Sequence, residues 1–149
     1  MAYADVKARL VTHATTASAA LSRPFEDVQA GVPFPRGRCV RIYYGGETEA
    51  DKFERYTLNS EMVGQVTLIA AFWPVTSLDE ELGAVIDAEA QAFTDALRTA
   101  VDGDSSLNGN VDNTTLGYGE PDFVTIGNTR FVMVLWRAVT DYVEYAIAK

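Results

Sequence analysis

The side chains able to do chemistry in this chain are few and widely spaced. There is one histidine, His13, and one cysteine, Cys39. Covalent catalysis needs a base within hydrogen-bond reach of its nucleophile. His13 falls between Leu10 and Ala17 on a stripe of helical period, so it reads as a core or interface histidine and not as that base. Zinc asks for three or four His, Cys or carboxylate ligands at set spacings, and one His with one Cys supplies no familiar set. Cys39 begins an apolar strand and reads as inert. A lone cysteine excludes an intramolecular disulfide and fits a reducing compartment.

Acidic residues are abundant, so their clusters carry little meaning by themselves. Asp79-Glu80-Glu81 stands in a predicted first helical turn, where acids favour the helix dipole. The loop "DGDSSLNGNVDN" at 102–113 resembles a calcium loop, but Leu107 occupies the glycine position and Asn113 the bidentate glutamate position. Neither G-x-x-x-x-G-K-[ST] nor a helix-opening G-x-G-x-x-G occurs, and "LGYGEPD" lacks a following helical pattern. No cofactor and no metal are therefore expected, and the chain is read as a non-enzyme. Glu89 is the one carboxylate in an odd place, on the apolar side of a helix. Either the helix edge lets it reach water, or it meets an arginine within the protomer or across an interface.

The elements that must position these groups fit one domain spanning 1–149, with 48% apolar residues to build a core. No run of about 18 apolar residues predicts a membrane span. The start, "MAYADVKARL", lacks the continuous apolar core of a signal peptide. Net charge is −9, from 12 bases against 21 acids. Phosphate binding needs clustered Lys and Arg, so free DNA binding is not expected. The acidity serves solubility, or a surface that lies near DNA without gripping it.

Residues 3–21 show apolar spacing at Val6, Leu10, Ala14, Ala17 and Leu21, which predicts a helix. "RPFEDVQAGVPFPRG", with three prolines and two glycines, predicts a loop. A strand follows at 38–44, a flap at 45–55 and a short edge strand at 54–60. "EMVGQVTLIAAFW" is a strand whose wholly apolar face, Met62 to Phe72 in alternate steps, is expected to meet the core. Ser77 and Glu80 form a capping box that opens the next helix, and Gly103 suits a left-handed cap at its end. The apolar stripe of that helix is Leu78, Leu82, Val85, Ile86, Phe93 and Leu97. Two strands follow at 113–126 and 129–142. Gly117, Gly119 and Pro121 bend the first, and Gly127-Asn128 make a type II′ hairpin turn between them. The fold class is α+β: a mainly antiparallel sheet of about four strands with two helices packed on one face.

Such a sheet leaves apolar surface to cover. "RFVMVLW" is apolar on both sides, and Tyr43 and Trp73 also call for burial, so either a loop folds over the bare face or the chain self-associates through it, and self-association is the reading taken. "RCVRIYYGGETEADKFERYTLN" runs from a greasy strand into acids surrounding Phe53, with Gly45-Gly46 as hinges. Such a flap is either a solvated hairpin loop or a segment that orders on contact, with Phe53 as its anchor.

The order of elements resembles the tail terminator proteins of long-tailed bacteriophages. The resemblance covers nearly the whole chain and is carried by "RCVRIYYGG" with its charged loop, "GQVTLIAAFW", "SLDEELGAVIDAEAQAFTDALRTAV" and "TRFVMVLWRAV". It implies a structural virion protein without catalytic residues. Six copies would form a ring that caps the tail tube and joins the head through connector or neck proteins. DNA would pass through its lumen without specific binding. Location would be the virion tail, assembled in the host cytoplasm. The assembly surface would comprise Tyr43, Tyr44, Glu47, Glu49, Asp51, Phe53, Glu54 and Trp136. The alternatives are a head-completion or neck connector protein of the same virion, and a small dimeric α+β enzyme or ligand-binding domain.

Overall fold

The computed structural model describes residues 3–48, 60–75, 80–109, 111 and 113–145. Helix α1 runs Tyr3–Ala19 and buries Val6, Leu10, Ala14 and Ala17, the expected stripe. Arg23-Pro24 follows, where proline removes a backbone donor, and the chain leaves the helix through Ala20 and Leu21. Helix α2 runs Glu80–Asp102, with Ile86, Ala90, Phe93, Leu97 and Val101 buried at steps of three and four. Val85, expected on that stripe, is about half exposed because it lies beyond the stripe's edge. Ser77 and Leu78 lie outside the described residues.

The end of α2 differs from expectation. Gly103 continues the helical bonding, its N–H reaching Thr99 O at 3.1 Å, and does not adopt a positive φ. The left-handed turn comes later, at Leu107 (φ 47°), Asn108 (φ 60°) and Gly109 (φ 82°). A leucine in that region is strained. Its side chain is fully buried in the main core, and that burial offsets the strain.

Six strands form one mostly antiparallel sheet among the described residues, in the order β1-β2-β3-β6-β4 with β5 also on β6. They are β1 Asp27–Ala30, β2 Cys39–Thr48, β3 Ser60–Pro74, β4 Asn113–Tyr118, β5 Asp122–Ile126 and β6 Thr129–Tyr145. The fold is thus α+β, with two strands more than expected. Strand β1 was hidden in the predicted loop: its four residues, set between prolines, show no alternation, yet they pair in parallel with Cys39–Ile42. The predicted 113–126 strand is β4 and β5 together. Both pair with β6, and the bend expected from Gly119 and Pro121 falls between them. Gly119 N–H bonds Leu135 O at 2.7 Å, and a Cβ there would sit 3.0 Å from that oxygen. Gly127 has φ 63° and Asn128 a negative φ, as a type II′ turn requires.

The glycine pair 45–46 is not a hinge. Strand β2 continues through it to Thr48, and the register slips between Tyr44↔Thr67 and Glu47↔Gln65, which makes a β-bulge. Gly46 supplies φ 94°, and a Cβ on Gly45 would come within 2.9 Å of Leu68 and Val66. The expected 54–60 strand lies outside the described residues except Ser60, which begins β3.

The expected inner face of β3 is also reversed. The large core joins both helices to Val40 and Ile42 of β2, Ile69, Ala71 and Trp73 of β3, and Val134, Trp136 and Ala138 of β6. Of the uniformly apolar set, Ala70 and Phe72 belong to the other side, where they form a smaller cluster with Cys39 and Phe131. Cross-strand neighbours decided the outcome. Ile69 pairs with Trp136 on one side and Ile42 on the other, so bulk collects on that face despite Gln65 and Thr67.

Candidate assembly interface

Two acid-centred clusters account for the singular charged residues. Arg38 immediately precedes strand β2 and is buried beneath α2 at Glu89. Its Nε and Nη2 donate to Glu89 Oε2 at 3.0 and 2.9 Å, and Trp73 Nε1 donates to the same oxygen at 2.7 Å. Arg38 Nη1 and Nη2 also reach Pro24 O and Arg23 O at 2.7 and 2.6 Å. Its guanidinium stands 4.3 Å from the Phe25 ring centroid. Glu89 therefore meets an arginine of its own protomer. Every partner named here belongs to the same protomer, and together they fix the carboxylate in place.

The second cluster closes α1 onto the loop after α2. Asp104 Oδ2 accepts from Arg9 Nε at 2.6 Å and lies 2.7 Å from His13 Nε2, while Oδ1 accepts from Asn108 N–H at 2.9 Å. The Arg9 hydrogen bond foremost, with those of Asn108 and His13, holds the Asp104 carboxyl down to about 2. His13 is largely buried here, so it is a helix-to-loop tie. Burial pushes the Cys39 thiol up, away from the thiolate a nucleophile needs. Among the described residues no group of three His, Cys, Asp or Glu is placed to hold a metal.

The residues expected at an assembly surface are not brought together. Trp136 is 0% exposed, packs edge-on against Phe93 and donates to Thr94 Oγ1 at 2.9 Å. It is a core residue because its strand position faces α2, which corrects its assignment to the surface. Trp73 is likewise interior. Tyr43 is half-buried on the opposite side, beside Met133 and Leu135 of the smaller cluster. Tyr44 points the other way, half exposed, with its ring 4.8 Å from that of Tyr3. Glu47 is exposed just past the bulge. Glu49, Asp51, Phe53 and Glu54 lie outside the described residues.

Compared with known proteins, the chain matches no family model and no curated sequence.

Surface chemistry that the sequence did not single out stands at the two edges of the sheet. Val32 and Phe34, in the loop between β1 and β2, are 67% and 74% exposed. At the other edge Phe123 of β5 is 56% exposed, with Tyr118 and Val85 also prominent. The exposed phenylalanines were legible only as members of a proline-rich loop and a glycine-bent strand. Ser60–Val63 of β3 pair with Tyr142–Tyr145 of β6. Of the arginines clustered in sequence, Arg38 and Arg41 are buried and bound to Glu89 and Asp27, which leaves Arg36 at the surface.

Proposed function

We propose that the protein is a structural virion component of the tail terminator type, forming a six-membered ring that caps the tail tube and offers the head-joining surface. The observation that carries this reading is the large apolar surface left exposed at both edges of the described sheet, with Val32 and Phe34 at one edge and Tyr118 and Phe123 at the other. Internal pairing of Arg38 and Arg41 supports a lumen that does not grip DNA.

The test is attachment to purified tail tubes, scored by electron microscopy, together with the mass of the assembled species. Six copies of the 16.3 kDa chain would weigh about 98 kDa. A ring at the tube end supports the reading. A stable dimer that ignores tubes refutes it. A second reading, a ligand-binding domain, draws on the cleft of about 400 Å³ between α2 and β4, lined by Asp87, Gln91, Thr94, Asp95, Arg98 and Tyr118. It predicts a small-molecule shift in melting temperature that a ring protein has no need to show.

A further inference from the structure

The two edges of the sheet carry complementary surfaces that one copy cannot bring together. At the β1 edge, the loop 31–37 alternates in exposure, so that Val32, Phe34 and Arg36 stand out while Pro33 and Pro35 lie half-buried between them. Two prolines fix φ and stiffen the loop, which lowers the entropy cost of docking it. Arg36 makes no ion pair among the described residues. At the far edge, α2 and β5 enclose an apolar groove of about 180 Å³. Ile86, Ala90 and Val132 form its buried floor and Phe123 an exposed wall, with Asp87 and Asp122 alongside. A dry cavity of about 150 Å³ accepts benzene, so this volume suits one phenyl ring. Arg130 lies 5.0 Å from the Phe123 ring centroid, while the groove's own lining carries two aspartates and no cation among the described residues.

From this we propose that Phe34 of one copy docks in the α2–β5 groove of a second copy, with Arg36 against Asp87 and Asp122. The edges lie four inter-strand spacings apart, about 19 Å, so the contact cannot close within one sheet. It joins unlike surfaces, and where such contacts repeat head to tail they give a ring if the rotation closes and a filament if it does not. The inference rests on the ring reading only for a closed stoichiometry; the contact itself is argued from shape and charge.

The experiment is sedimentation velocity of the full chain from about 10 µM to about 1 mM, a range that covers weak to moderate association. Phe34→Ser is expected to weaken association at least about 30-fold, as loss of a central aromatic anchor does, with an unchanged melting temperature because the ring is exposed. Arg36→Glu should weaken it, as should Asp87→Arg with Asp122→Arg, and the triple charge swap should restore it. Association that is indifferent to Phe34→Ser and to the swaps overturns this contact and leaves the ring reading standing on another surface. A chain that stays at 16.3 kDa throughout the range also overturns it, and tube binding then decides the ring reading separately.

Discussion

The Glu89 and Asp104 clusters use the same ingredients, one carboxylate and one arginine with an aromatic or imidazole N–H, yet they sit in different surroundings. Glu89 and Arg38 lie between sheet and helices, where the Arg38 side chain is 5% exposed. Asp104 and Arg9 join the loop after α2 to the middle of α1, where the Arg9 side chain is 39% exposed. Burial makes the first pair costly to disturb on one side only, because the survivor keeps its charge without water. Water can replace a lost partner at the second. The lesson is that two carboxylates of like exposure, 19% at Glu89 and 17% at Asp104, are distinguished by the depth of the arginine that each one holds.

That contrast has measurable consequences. The largest is at Glu89: Glu89→Ala should lower unfolding free energy by about 3–5 kcal/mol in denaturant titration, since it strands Arg38. Replacing both partners by apolar residues, Arg38→Met with Glu89→Leu, should recover much of that loss. If the double variant is as poor as the single, the hydrogen bonds to Trp73 and to the carbonyls of Arg23 and Pro24 matter more than the charge pair. Asp104→Ala should cost less, about 2 kcal/mol, the scale of a charge-assisted hydrogen bond. A loss equal to that of Glu89→Ala would abolish the distinction drawn from the burial of the arginine partner.

Acid sharpens the comparison further. The folded state holds Asp104 down to about 2, below its ordinary value of 3.8, so its ionised form favours folding. That contribution is complete above about pH 4 and disappears as pH falls through about 2. The stability gap between the parent chain and Asp104→Asn should therefore close over this window in equilibrium unfolding. A gap that stays constant would assign the effect to packing. The smallest effect is expected at the bulge. Gly46→Ala, forced to φ 94°, should cost about 1 kcal/mol, read as a lower melting temperature.

Much of this architecture was legible before the structure. The stripes of α1 and α2, the II′ turn at Gly127 and the bend at Gly119 follow from local rules, because backbone freedom and helical period are written in neighbouring residues. The arginine partner of Glu89 was one of two readings, and only the pairing of β2 with β3 brought Arg38 and Trp73 beneath that helix position. The reversed face of β3 and the burial of Trp136 were not legible, because both faces of these strands are apolar and register alone selects between them. Strand β1 escaped notice because its pairing partner is remote and parallel. The Phe34 loop and the α2–β5 groove were hidden for a related reason: sequence shows residue type, and exposure at opposite sheet edges is a product of strand order.

Strand order also governs how the sheet meets a crowd. Unpaired strand edges are templates on which other chains can aggregate. Here β1 covers only Cys39–Ile42 of β2, the bulge at Gly45-Gly46 interrupts the stretch beyond, and the opposite edge is broken at Gly119 to Pro121. No long straight row of free N–H and C=O groups remains at either side of the described sheet. Copies held at high local concentration would thus meet through side chains and stay separable, instead of fusing their backbones into a continuous β-ribbon.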